Sequence, residues 1–466
     1  MSRMVVAGGS IGGLAVALFA ARADREVLLL EADPHPLPAS ADEAWSGWRR
    51  RGVPQFHQLH GTQALGRATL SVTAPDVLGR LREVGAHEAD LLAPGPGAGC
   101  RAGAEGVIQL RCRRPVLEWA LRTAVAAEPT VDLRPGAEVT GLLVAGRGSP
   151  RISGVTTTDG KVSAELVVDA TGRRSRTAQW CADAGLPPPV TTAVDTGQAY
   201  FTRWFRRPTP FTGADPMLRV DLPFATLLLF PADSCWFSAT FFAPVHDRAL
   251  RTALMDPDRF LQAIRSVPGA AGWIDDAVPV GDVLFMGKLA NQLRRWPPGT
   301  QPPSGLVTTA DAAVCTNPTW GRGGALALAQ AAALVDLLRH GDDPAAVTAG
   351  HASWTAEHLA PWFRDTVLLD EEINALWAGR RPPPPSPERP FSHADALRLA
   401  RTDPAVAVRY LRYRNLLDGP STFWTDPATV DRVLMARDGG GRGEAPWLPG
   451  REEFLSHLDR APLHRR

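Results

Sequence analysis

Apolar positions along this chain follow three different periods. A short apolar strand, predicted over Met4–Ala7, runs into a glycine turn at Gly8–Gly13, then a helix over Leu14–Ala23 and a second strand over Glu26–Leu30. Thr62–Gly85 has helical spacing. Arg111–Pro129 is a predicted helix with Val116, Leu117, Ala120, Leu121 and Ala124 on one face and Pro115 in its first turn, where a missing N–H costs nothing. Strands are predicted near 139–144, 154–158 and 165–168, and 94–106 reads as a Gly/Pro/Ala-rich loop. From Asp195 to about Met286 the period shortens to two, in segments such as QAYFTRWF, ATLLLF and CWFSATFFAP. Alternation of that kind marks half-buried antiparallel sheet. Beyond it come one more apolar strand, GLVTTA, a long helix from Gly323 to Arg339, and a helical remainder broken by the proline run at 380–390.

These periods predict an α/β fold. At 466 residues the chain is too long for one core. A Rossmann-like domain is expected in three pieces (1–75, 105–190 and 303–345), with an antiparallel β domain (76–104 and 191–302) and a helical C-terminal region (346–466). A net charge of +1 gives no global field for nucleic acid or an anionic membrane. No segment reaches the roughly 18–20 clean apolar residues of a membrane span, since Gln330 and Asp336 interrupt the longest. Five scattered cysteines without a C-x-x-C pair point to a reducing, cytoplasmic setting and to no metal site. Only Lys161 and Lys288 are lysines, a bias read here as genome composition; fourteen tryptophans suggest bulky cores or large cavities.

The N-terminal unit carries the first chemistry. Gly8 permits a tight turn and Gly13 a close helix–strand approach. Ser10 stands where a second glycine is expected, before Ile11, and the helix N-terminus offers free N–H groups to a pyrophosphate. Glu31 ends the second strand, where a carboxylate can accept from both ribose hydroxyls of an adenine dinucleotide. Arg50 and Arg114 are typed for phosphate oxygens. Asp169 opens DATGRRSR, whose Thr171 and Gly172 bring backbone to the nucleotide, and Asp311 can accept from a ribityl hydroxyl. Pro318 and the turn Gly321, Arg322, Gly323, Gly324 aim a helix N-terminus at an electron-poor ring. That placement stabilises negative charge at the N1 and C2=O edge of a reduced flavin.

The segments GGSIGG, RRGVPQFHQLHG, RRPVLE, VVDATGRRSRTAQWCADAGLP, VDTGQAYFTRWF and TNPTWGRGGALALA run in order over residues 1 to about 340. On them the chain resembles FAD-dependent monooxygenases of the aromatic-hydroxylase fold, with its glutathione-reductase-type FAD domain. Within that group it is similar to the flavin-dependent epoxidases of polyether ionophore biosynthesis, of monensin- and lasalocid-pathway type. The resemblance implies FAD as cofactor and O2 as co-substrate, with electrons from NADPH. The usual Asp-Gly fingerprint appears only as DATG, so a separate flavin reductase is the alternative donor.

The implied activity is oxygen transfer from a C4a-hydroperoxyflavin to a large apolar substrate, foremost alkene epoxidation of a polyketide or similar scaffold in secondary (antibiotic) metabolism. Epoxidation needs a dry pocket but no protein base. Ring hydroxylation on the same fold would call on His57, His60 or Tyr200; a flavin halogenase, an alkene reductase and a non-catalytic flavoprotein are further readings. The pocket is expected between the ring and the antiparallel sheet, with Trp320 and some of Phe201, Trp204, Phe224, Phe230, Trp236 and Phe241, since alternation turns about half of them away. The segment Ala396–Leu417 either covers that pocket or forms a dimer interface, and oligomeric state is left open.

Overall fold

Strands that are apolar at every position need cover on both faces, and the first strand has it. The computed structural model describes residues 4–93, 106–146, 150–438 and 448–460. In it, Met4–Ala7 is the central strand of a five-stranded parallel sheet. The strand order is Leu306–Thr308, Leu166–Asp169, Met4–Ala7, Val27–Glu31 and Val131–Pro135. Met4, Val6, Leu29 and Val168 pack under the helices Ile11–Ala21, Arg114–Ala127 and Gly323–His340. Val5, Ala7, Leu28 and Val167 point the other way, onto a three-stranded antiparallel layer (Val139–Ala145, Arg151–Thr157, Gly160–Ser163) and the helix Thr177–Asp183. Burial on both faces is what a continuous apolar run in a parallel sheet encodes.

The period-two region forms a second five-stranded sheet, ordered Leu218–Leu222, Ala225–Pro231, Trp236–Pro244, Gln198–Arg206 and Val278–Met286. Phe201 stands opposite Phe241, and Tyr200 opposite Phe242. A smaller antiparallel sheet (Val190–Asp195, Ala290–Arg295, Val314–Cys315) ties this region to the parallel one.

Several elements differ from expectation. The first helix begins at Ile11 rather than Leu14, because Gly12 and Gly13 are already helical. The helical stretch at 62–85 divides at Ala74, since Pro75 starts a new helix: Ala64–Thr73 is followed by Pro75–Glu83. Two amphipathic helices, Arg248–Met255 and Pro257–Arg265, cover the back of the antiparallel sheet. The C-terminal region is not a separate block, since its last helix, Arg451–Arg460, returns to that same back face. Phe454 meets Phe224 and Phe241 there at 5.1 and 6.2 Å, and Arg451 pairs with Asp247 at 2.6 Å. Most of the loop expected at 94–106 lies outside the described residues.

Phe454→Ala should therefore weaken the whole fold rather than fray one end. The expected loss is about 3–5 kcal/mol in urea unfolding, the usual cost of truncating a buried phenylalanine. An unchanged midpoint would show that this helix does not hold the sheet.

Candidate functional site

Two of the helices that begin without a side-chain cap open on the same cleft. Ser10 precedes the Ile11–Ala21 helix in extended conformation, and Arg322 precedes the Gly323–His340 helix; neither accepts a capping bond. The cleft encloses about 2300 Å³, part of it open to solvent, and is bordered by Ser10, Ile11, Gly323 and Gly324. Each helix start leaves up to four N–H groups unpaired at the positive end of its dipole. The first turn is tight enough to require glycine. Gly8 has φ of +101°, and a Cβ on Gly13 would lie 1.7 Å from the Gly8 carbonyl oxygen.

Around that turn the charges are shared unevenly. Arg114 borders the cleft, donates to the Ser10 hydroxyl at 3.0 Å and pairs with Glu118 at 2.8 Å. Arg50, expected beside it, lies beneath the turn and off the cleft. It pairs with Glu31 at 2.6 Å and Glu118 at 2.8 Å, lies 3.5 Å from Asp33, and donates to the Gly9 carbonyl at 3.0 Å. Glu31 is equally committed, accepting the Gly9 N–H at 2.6 Å and the Asp33 N–H at 2.8 Å. In this structure Arg50 and Glu31, expected at phosphate and ribose, are bonded to each other and to the turn and do not border the cleft. Buried carboxylates left without this guanidinium would be uncompensated charges.

Asp169 also turns inward. It takes the Thr171 N–H and hydroxyl at 2.9 and 2.6 Å, and the hydroxyls of Ser175 and Thr177. It thereby shapes the turn whose Thr171 and Gly172 do border the cleft. Asp311 borders it as well. Burial raises its carboxyl above the usual range, opposed by Arg114 and Arg173. Ala310, next to it, has φ of +54°, a left-handed conformation that favours glycine; its N–H is held by Gln330 at 2.7 Å.

The second turn is suspended from the helix Ala360–Trp377. Trp320, Asn317 and Asn291 each donate to Asp370 at 2.8 Å. Arg322 donates to Asp365 at 2.6 Å, Thr366 at 2.7 Å and Tyr413 at 3.1 Å, with its guanidinium 4.7 Å from the Trp362 ring centre. Trp320, the predicted pocket residue, and Arg322 border the cleft together with Pro318, Gly321, Gly323 and Gly324.

The three candidate bases fare differently. The Tyr200 hydroxyl donates to Asn317 and accepts the Thr319 N–H at 2.8 Å, and burial raises its phenol well above the ordinary value. His57 bonds the Trp45 carbonyl at 3.1 Å and packs edge-on against Trp45 and Phe56, away from the cleft. Only His60 borders the cleft with a nitrogen, Nδ1, that has no partner among the described residues. Burial, assisted by Arg114, lowers its pKa to about 3, so it is neutral at pH 7.

Strand alternation sorts the six predicted pocket aromatics. Tyr200, Leu228, Phe230, Thr240 and Phe242 border the cleft. Phe201, Phe224 and Phe241 belong instead to the core behind the sheet. Trp204 and Trp236 stay on the cleft side of their strands but lie beyond it, packed on Trp45 at 5.1 and 5.3 Å. Together Trp45 and Trp236 hold Arg113, which forms a buried pair with Asp233 at 2.6 Å. Phe230 alone of the six borders the cleft. Sequence reasoning missed Arg219, Tyr410 and Arg414, which also border it; for the last two the amphipathic stretch 396–417 was the available signal, and it gave no direction.

No family model matches the chain. Over 455 residues it is 28% identical to protein Rv3254 of Mycobacterium tuberculosis H37Rv, with 89% of each chain covered. Among solved structures it is similar to the flavin-dependent brominase Bmp2, with a TM-score of 0.60 and 13% identity over 94% of this chain and 99% of that one. PqsL of Pseudomonas aeruginosa in complex with 2-aminobenzoylacetate gives 0.58 and 16%, covering 81% and 96% respectively. OxyS, an anhydrotetracycline hydroxylase from Streptomyces rimosus, gives 0.58 and 15%, covering 90% and 76%. At these identities the likeness is one of fold: the chain has the α/β architecture of FAD-dependent hydroxylases. No helix among the described residues is long and apolar enough to cross a membrane.

Burial pushes the Asp370 carboxyl up to about 6. A raised carboxyl favours folding fully below its unfolded value, near 4, and loses that contribution as pH rises through 6. Asp370→Asn should therefore gain stability relative to the parent between pH 5 and pH 8 in urea unfolding. Parallel pH profiles for the two proteins would contradict the assignment.

Proposed function

We propose that this chain is an FAD-dependent monooxygenase acting on a large, mostly apolar substrate. The convergence of two uncapped helix N-termini on one cleft carries the reading. The first, with Arg114, suits a pyrophosphate; the second suits the electron-accepting edge of a flavin ring. The backbone at Thr171–Gly172 and the Asp311 carboxylate stand where ribose and ribityl hydroxyls would be held. FAD, when bound and reduced, would supply the oxygen-activating chemistry.

The chain's own part is to orient the substrate and exclude water. Leu228, Phe230, Phe242 and Met286 form an apolar wall on the antiparallel sheet, and the helices His393–Ala400 and Pro404–Arg414 contribute further lining. Alkene epoxidation fits better than phenol hydroxylation. Tyr200 and His57 are committed to structural bonds and the lowered pKa of His60 makes it a weak base, so none of these three candidates is a strong base, and epoxidation calls for none. A polyketide or similar scaffold of secondary metabolism is the proposed substrate class, with NADPH or a separate reductase as electron source.

Anaerobic mixing of the FAD-loaded protein with NADPH, followed by O2 and a panel of apolar polyenes, tests this. A product heavier by one oxygen atom is expected, with flavin bleaching by NADPH if no reductase is needed. Uncoupled reoxidation without any oxygenated product, after NADPH or chemical reduction, would exclude the oxygenase reading. Arg114→Ala should weaken FAD binding by roughly 10- to 100-fold, the value of a charged hydrogen bond, as read by flavin fluorescence.

A further inference from the structure

The far end of the cleft is not apolar. Arg219 from strand Leu218–Leu222, Arg401 after the helix His393–Ala400, and Arg414 at the end of the helix Pro404–Arg414 all border it, with Tyr410. Arg219 is paired with Asp221 at 2.9 Å, and Arg401 is exposed. Arg414 differs from both. Among the described residues it forms no ion pair, and its Nη1 is buried without a hydrogen-bond partner. Its guanidinium lies 4.9 Å from the ring centre of Trp320, the indole of the second turn.

None of the leading influences on Arg414 is a carboxylate: Arg322 and Arg219 oppose its ionisation, and the phenols of Tyr410 and Tyr413 are the others. Asp365 and Asp221 are already bonded to Arg322 and Arg219. A guanidinium withdrawn from water without a counter-charge is unfavourable, and an arriving anion would relieve it. Arg414 is also distinct from the pyrophosphate arginine. Arg114 acts on His60 and Asp311, whereas Arg414 acts on His393 and Tyr410. The cleft therefore holds two separate positive centres, and a dinucleotide accounts for one of them.

We propose that the substrate carries an anionic oxygen group, a carboxylate or an ionised enol, that docks on Arg414 with Arg219 and Arg401 beside it. This rests on the reading that the rest of the cleft holds FAD. A guanidinium packed against an indole keeps a planar N–H edge free for a two-point contact with such a group. The apolar body of the substrate would then lie along Leu228, Phe230 and Phe242, toward the second turn. Arg414 and the sheet would together fix which carbon of the substrate is presented for oxidation.

The test is calorimetric titration of the FAD-loaded protein with 2-naphthoate, its neutral isostere 2-naphthamide, and the enolate of 2-hydroxy-1,4-naphthoquinone. At least one anion should bind roughly tenfold or more tightly than the amide, as one charged hydrogen bond would give, and which one does identifies the anion chemistry. The preference should vanish in Arg414→Gln and persist in part in Arg414→Lys, with FAD affinity unchanged in both. If neither anion outbinds the amide, or if the preference survives Arg414→Gln, the inference is overturned. FAD uptake without an anion preference overturns this inference alone, whereas failure to take up FAD overturns the flavin reading instead.

Discussion

Everything at the centre of this molecule depends on two carboxylates of one helix. Asp365 and Asp370, on Ala360–Trp377, hold Arg322 at one end and Asn317 with Trp320 along the rest of a six-residue turn, 317–322. A turn rich in glycine and proline has no reason of its own to present one face. Here its two large side chains are anchored on buried carboxylates, which fixes the turn at the border of the cleft. The cost of burying Asp370 is offset by three donors from two segments (Trp320 and Asn317 of the turn, Asn291 of the small sheet), so the small sheet, the turn and the C-terminal helices share one anchor.

The same logic explains a compositional oddity. An arginine-rich, lysine-poor chain with many tryptophans reads at first as genome bias. In the fold the two residue types meet repeatedly. Arg50 and Arg122 stack on Trp48, Arg113 on Trp45 and Trp236, Arg389 on Trp424, and Arg414 on Trp320. An ammonium group is more strongly hydrated and lacks the planar face needed to stack on indole. At these positions lysine would keep the charge but lose the planar face that packs on indole, so the arginines there serve packing as well as charge.

Much of the architecture was legible because its signals are local. The strand–turn–helix unit, the Arg114 helix and the period-two sheet all follow from spacing within a dozen residues, and the structure shifts mainly their ends. The site was legible only in part. Residue type singled out Arg114, Asp311 and the Gly323 turn, all of which border the cleft, but it could not separate Arg50 from Arg114, since both suit phosphate. Only the three-dimensional arrangement shows that Glu31 and Glu118 take one of them. Phe201 and Phe241 failed as pocket residues through parity, which a single strand's sequence leaves ambiguous until one face is known. Arg414 was invisible because its partner, Trp320, lies 94 positions away.

The docking of the final helix has a consequence for how the chain is made. Asp247 and Arg451 are 204 residues apart in sequence, yet they clamp the same sheet. On a ribosome, the phenylalanine-rich back of that sheet would emerge long before Phe454 does. Until then only the two helices at 248–265 could shelter it, and closing so long a loop adds an entropic toll. The nascent polypeptide thus has an interval in which that apolar surface is incompletely covered.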